Sequence, residues 1–91
     1  MVLTEDRLDE LLRALAHADR RKFVLMCRAK AIPAGDLAEQ SSLALASVSE
    51  HLKVLRKTGL LRLEKEGRYR LYKMDERVLK AVTAAIKRLE G

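Results

Sequence analysis

The sequence predicts a mainly helical domain with one small β-hairpin, its elements in the order α-α-α-α-β-β-α. Three observations predict it. Apolar residues recur at helical spacing along most of the chain. The period changes to two in "LLRLEKEGRYRLYKM", residues 60–74. Serine, threonine, aspartate, proline and glycine stand where these stretches begin and end, as caps and turns require.

Thr4 suits the cap of a first helix running to about Ala16, in which Leu8, Leu11, Leu12 and Leu15 keep the 3.6-residue period. Glu5 and Asp6 complement its positive end. Asp19 is placed to cap a second helix through about Ala29, carrying Phe23, Val24, Met26 and Cys27. Pro33 fits the first turn of a short third helix, "PAGDLAEQ", which presents Leu37 and Ala38. Ser41 and Ser42 make the turn after it.

The fourth helix lies in "ASVSEHLKVLRKTGLL", residues 46–61. On a wheel of 100° per residue Val48, Leu52 and Leu55 form one buried stripe, with Ala46, Glu50, Lys53 and Lys57 opposite. One face packs and the other is free to read a partner. Gly59 suits a left-handed helix end. In the hairpin Leu61 and Leu63 point one way, and Arg62 and Glu64 the other. On the return strand Tyr69 and Leu71 alternate with Arg68, Arg70 and Tyr72, so the ribbon is expected to pack one face and offer arginines from the other, both tyrosines packing beneath it. Asp75 caps a last helix whose Leu79, Val82, Ile86 and Leu89 follow each other at intervals of 3, 4 and 3, a coiled-coil-like seam.

Composition narrows the function. A chain of 91 residues, 48% apolar and 35% charged, reads as one domain, residues 1–91. At this size folding buries only about 60–65% of the unfolded surface, so a partner subunit would add stability. A single cysteine forms no disulfide within the chain, and no apolar run approaches the roughly 20 residues of a membrane span. The acidic start "MVLTEDRLDELL" is unlike a signal peptide, so a cytoplasmic protein without membrane contact is expected. Charge is divided unevenly. Residues 1–50 hold 7 Lys or Arg against 8 Asp or Glu, whereas residues 51–91 hold 12 against 5. The net charge of +6 therefore sits in the second half, where a polyanion would bind.

A short helix, a turn and a second helix with a polar outer face make a helix-turn-helix over about 33–58, and the basic hairpin at about 60–74 makes a wing. The predicted fold is thus a winged helix-turn-helix. Its expected target is duplex DNA, whose major groove admits an α-helix, whereas the deep groove of RNA does not.

"LAHADRRKFVLMC", "AGDLAE", "SVSEHLKVLRKTGLL" and "EGRYRLYKM" resemble the winged-helix repressors of the arsenic-repressor (ArsR) family, over about residues 11–74. The resemblance implies a homodimeric transcriptional regulator, usually a repressor, dimerising through its first and last helices (about 4–16 and 76–90) and released from its operator by a ligand. Two departures bear on that ligand. Family members that sense thiophilic metals carry a Cys-x-Cys pair just before Asp-Leu of the third helix, where this chain has Pro33 and Gly35. Those that bind zinc use acids and histidines of the last helix, and "DERVLKAVTAAIKRLEG" has neither histidine nor cysteine. No metal and no cofactor are expected, and the effector is left open.

The candidate residues follow. Ser47, Ser49 and Glu50 are the polar groups near the entering end of the fourth helix, suited to base edges or phosphate. Lys53, Arg56 and Lys57, with Arg68 and Arg70 of the wing, suit phosphates. Arg62 and Lys65 suit an exposed ribbon edge equally well. Leu45 or Ala46 could meet a thymine methyl, although the wheel leaves Leu45 near the buried stripe, where packing is its simpler role. The dimer seam is expected from Leu8, Leu11, Leu12 and Leu15 with Leu79, Val82, Ile86 and Leu89. His17 and His51 read as structural. Cys27 reads as a packing residue, with a thiol sensor as the alternative. An operator-binding homodimeric repressor accounts for all these features. A winged-helix interaction module without DNA binding is the alternative, and an enzyme ranks last because no catalytic constellation can be read.

Overall fold

The computed structural model describes residues 1–91. Its elements are α1 (Glu5–Leu15), α2 (Ala18–Met26), β1 (Ile32–Pro33), α3 (Ala34–Glu39), α4 (Leu45–Lys57), β2 (Leu61–Glu66), β3 (Tyr69–Met74) and α5 (Glu76–Lys87), which ends in a 3₁₀ turn, Arg88–Glu90. The mainly helical architecture matches the expectation from the sequence, with one strand added. No helix is long and apolar enough to cross a membrane.

Local chemistry accounts for most boundaries. Thr4 caps α1 by accepting a hydrogen bond from the Arg7 amide at 3.1 Å, and Asp75 caps α5 through the Arg77 amide at 3.0 Å. α4 stops before Gly59, whose φ of +82° is open to glycine at no steric cost. A Cβ there would also stand 3.2 Å from an Arg7 guanidinium nitrogen. The cap expected from Asp19 is not formed. α2 begins two residues earlier than the sequence implied, after the extended His17, and Asp19 lies within its first turn.

The sheet has the order β1-β3-β2, both pairings antiparallel. β1 was not legible in the sequence: two residues are too few to show a period of two. Ile32 pairs with Tyr72 and Pro33 with Leu71, and Pro33, lacking an amide hydrogen, is tolerated because β1 is an edge strand. It also occupies the cap position of α3, one residue outside the helix turn expected for it.

The hairpin register corrects the expected phase of the ribbon. Leu61 opposes Met74, Leu63 opposes Tyr72, and Lys65 opposes Arg70. Directly opposed residues share a face, so Arg70 lies on the same side as the packed Leu61 and Leu63, farther toward the tip. Tyr69, expected beneath the wing, is 64% exposed. The turn sets this phase. Gly67 has φ +62° and Arg68 a negative φ, the pattern of a type II′ two-residue loop, which fixes Glu66 opposite Tyr69.

One core joins all helices to the sheet. Leu11 and Ala14 of α1, Phe23 and Val24 of α2, Leu37 of α3, Val48, Leu52 and Leu55 of α4, and Val78 and Val82 of α5 are buried in it with Leu60, Leu61 and Met74. The α4 stripe is the one expected. Truncating a residue such as Leu55 to alanine should cost about 2–5 kcal/mol.

Two of the expected dimer residues belong to this core. Leu11 is 0% and Val82 2% exposed, so neither is available to a second chain. The 3-4-3 seam divides because a straight helix turns 3.6 residues per turn: α5 points Val78, Val82 and Ala85 inward, leaving Ile86 and Leu89 outside.

Candidate nucleic-acid interface

α4 is anchored by its buried stripe, which turns Ser47, Ser49, Glu50, Lys53, Arg56 and Lys57 to solvent. Arg68 and Arg70 are exposed on the wing. All eight residues assigned to DNA binding from the sequence are therefore on the surface. Ser49, Lys53, Arg56 and Lys57 share an open cleft with Tyr72 at the base of β3. Three cations and no carboxylate line it. The cleft thus joins the outer face of α4 to the root of the wing, as one surface for a polyanion.

The beginning of α4 is unlike those of α1 and α5. No side chain caps it at Ala44, and no acid occupies its first turn. Its positive end is therefore uncompensated by the protein, which favours an approaching phosphate. Leu45, expected to lean on the core, is instead 71% exposed. It is the first residue of α4, just before the stripe that starts at Val48. An apolar side chain is thus held in water at the start of this helix.

The wing adds cations that the sequence alone left uncertain. Lys65 lies directly across from Arg70, and both are exposed, as is Arg68 in the turn. The β-register was the missing signal: only when the loop is known to be two residues long does Lys65 fall beside Arg70. Arg62 serves another purpose, at 3.4 Å from Glu64 on the same strand.

Cys27 is wholly buried at the end of α2. Burial pushes its thiol up to about 11, against a smaller downward pull from the Lys73 charge. At neutral pH it is a protonated, inaccessible thiol, which is the opposite of what a sensor requires. His17 and His51 come together, their rings tilted by 49° with centroids 5.8 Å apart, so the start of α2 touches the middle of α4. No three His, Cys, Asp or Glu side chains gather so as to hold a metal ion.

Comparison with known proteins agrees with this geometry. The profile of a family described as a helix-turn-helix domain matches residues 15–64, from the end of α1 into β2. The transcriptional repressor SdpR of Bacillus subtilis is 25% identical over 79% of this chain and 80% of its own. The transcriptional activator HlyU of Vibrio cholerae is 29% identical over 87% of this chain and 73% of its own. The crystal structure of an ArsR-family transcriptional regulator superposes with a TM-score of 0.86 and 26% identity, covering 99% of this chain and 93% of that one. An outward-facing basic helix, an adjoining wing and these relatives lead to one assignment: the chain belongs to the helix-turn-helix domain family, as a winged helix-turn-helix transcriptional regulator of the ArsR type.

Proposed function

We propose that this regulator acts in the cytoplasm, without catalysis and without a resident metal or cofactor, as a homodimer that represses transcription from an inverted-repeat operator. The observation that carries the reading is the acid-free cleft lined by Ser49, Lys53, Arg56, Lys57 and Tyr72 between α4 and the wing. In this reading α4 enters the major groove. Ser47, Ser49 and Glu50 meet base edges, Leu45 and Ala46 meet thymine methyls, and Lys53, Arg56 and Lys57 neutralise flanking phosphates. Arg68 and Arg70 extend the phosphate contacts along the backbone, joined by Lys65.

The second subunit is proposed from the surface left outside the core. Leu12 of α1 is 39% exposed, and Ile86 and Leu89 near the end of α5 are 45% and 86% exposed. With the half-buried Leu8, Leu15 and Leu79 they form the apolar surface for a two-fold partner, in place of the full seam expected from the sequence. Such a dimer carries two copies of α4 and calls for a two-fold site.

Fluorescence anisotropy on random-sequence and selected duplexes over a range of salt tests the proposal. Affinity should fall steeply and linearly in log–log form as salt rises, because phosphate contacts release counterions. Binding that is absent, or indifferent to salt, would favour the protein-interaction alternative.

A further inference from the structure

Arg20 of α2 is buried, with only 9% of its surface exposed. No carboxylate lies within ion-pair distance of it. Its one polar contact in the protein is a long bond, 3.5 Å, from a guanidinium Nη to the Arg13 carbonyl, and its Nε has no hydrogen-bond partner. A buried N–H without a hydrogen-bond partner is costly. Arg20 therefore stands ready for an anion that the chain itself does not supply.

The surroundings are shaped for one. Arg20 lines a cleft of ≈ 320 Å³ between α1, α2 and the end of α4, together with Arg13 and Lys57. Glu10 is the one acid on its wall, and it is engaged by Arg7 at 3.3 Å. The volume is at the small end of ligand sites, and Ala14 and Val54 add short apolar walls. A compact ion fits a cleft of this size.

We propose that this cleft binds a small oxyanion, a phosphate- or carboxylate-bearing molecule, through Arg13, Arg20 and Lys57, and that its binding weakens the hold on DNA. Binding of the anion stands on the geometry alone; its effect on DNA rests on the function proposed above. The coupling runs through Lys57, which lines both this cleft and the one between α4 and the wing. An anion that draws Lys57 toward Arg20 removes a cation from the DNA phosphates. By linkage, DNA must weaken the anion by the same factor.

The test uses the full chain with orthophosphate and, separately, succinate, each balanced with sodium chloride to constant ionic strength. The Arg20 Nε–H resonance in nitrogen-15 spectra should shift to saturation with at least one of them, and which one acts identifies the anionic group. Arg13→Ala, an exposed change that leaves the core intact, should raise the midpoint at least fivefold, and Arg20→Gln should abolish the response. In anisotropy, saturating anion should weaken DNA binding of the parent about fivefold, the low end of measured couplings, and the same loss in Arg13→Ala should need at least five times the anion concentration. No saturable shift with either probe, or equal midpoints for parent and Arg13→Ala, would overturn the site. So would a loss of DNA affinity in Arg13→Ala without any anion response, since the cleft would then be serving the DNA backbone. The spectra need no DNA, so failure of the anion site and failure of the DNA-binding reading are seen separately.

Discussion

Lys65 and Arg70 stand directly opposite each other across the two strands of the wing. Like charges in this position repel, and neither residue is in an ion pair with an acid of the chain. The arrangement is unfavourable for the free protein and favourable once a phosphate lies between the two cations.

The wing can be tested on both counts. Arg70→Ala should leave thermal stability unchanged or raise it slightly. Arg68→Ala with Arg70→Ala should weaken binding to every duplex and lower the salt slope by roughly 1 for each phosphate left without its cation. Unaltered affinity at every salt concentration would remove the wing from the interface.

At the entering end of α4, the exposed Leu45 should recognise thymine by its methyl group. Replacing that thymine with uracil in the operator should cost about 0.8 kcal/mol, roughly fourfold in affinity, for one buried methyl. Leu45→Ala should bind both duplexes alike. Discrimination that persists in Leu45→Ala would assign the methyl contact to another residue.

For Cys27 the expected behaviour is that of core. Alkylation of the native chain should be slow and should follow its unfolding, because the thiol is buried and protonated at neutral pH. Cys27→Ser should lower stability by about 1–3 kcal/mol by burying a hydroxyl, and the folded variant should keep DNA affinity. Rapid peroxide oxidation of the parent, with release from DNA that the serine variant does not show, would make the thiol a sensor.

Acid should act through the cap of α5. Desolvation pushes the Asp75 carboxyl up, but hydrogen bonds from the side chain and amide of Arg77, with the charges of Arg77 and Arg62, outweigh it and hold the group below its ordinary 3.8. A carboxylate whose folded pKa lies below its unfolded one contributes fully above the unfolded value and loses that contribution as pH falls through the folded value. Stability should therefore drop below about pH 4. Asp75→Asn should flatten that part of the pH profile while still capping, and Asp75→Ala should cost about 1 kcal/mol at neutral pH. Urea midpoints between about pH 2 and 7 would show both.

Much of the fold was legible because local chemistry decides it. Thr4, Asp75 and Gly59 act at the places their residue types demand, and the Val48–Leu52–Leu55 stripe orients α4 with no information beyond the helical period. What was missed depends on long-range pairing or on a single turn's geometry. β1 has two residues and exists only because β3 is beside it. The faces of the wing follow from the II′ loop at Gly67. Leu45 precedes the stripe, where a wheel cannot tell a helix's first residue from one that reaches the core. The α5 seam was drawn on a coiled-coil period, but the helix packs on its own subunit through Val82. Arg20 gave no signal at all, since its burial comes from α1 and α4 closing over α2.

Whether two copies of α4 and its wing read duplex DNA around a two-fold axis is decided by selecting bound sequences from random duplexes. The selected pool should be enriched in an inverted repeat whose half-site centres lie about one helical turn, or a multiple of it, apart. The protein alone should sediment with about twice the chain mass, and its complex should hold two chains per duplex. Enrichment of no sequence, or of an asymmetric site bound by a monomer at micromolar concentration, would refute the two-fold reading.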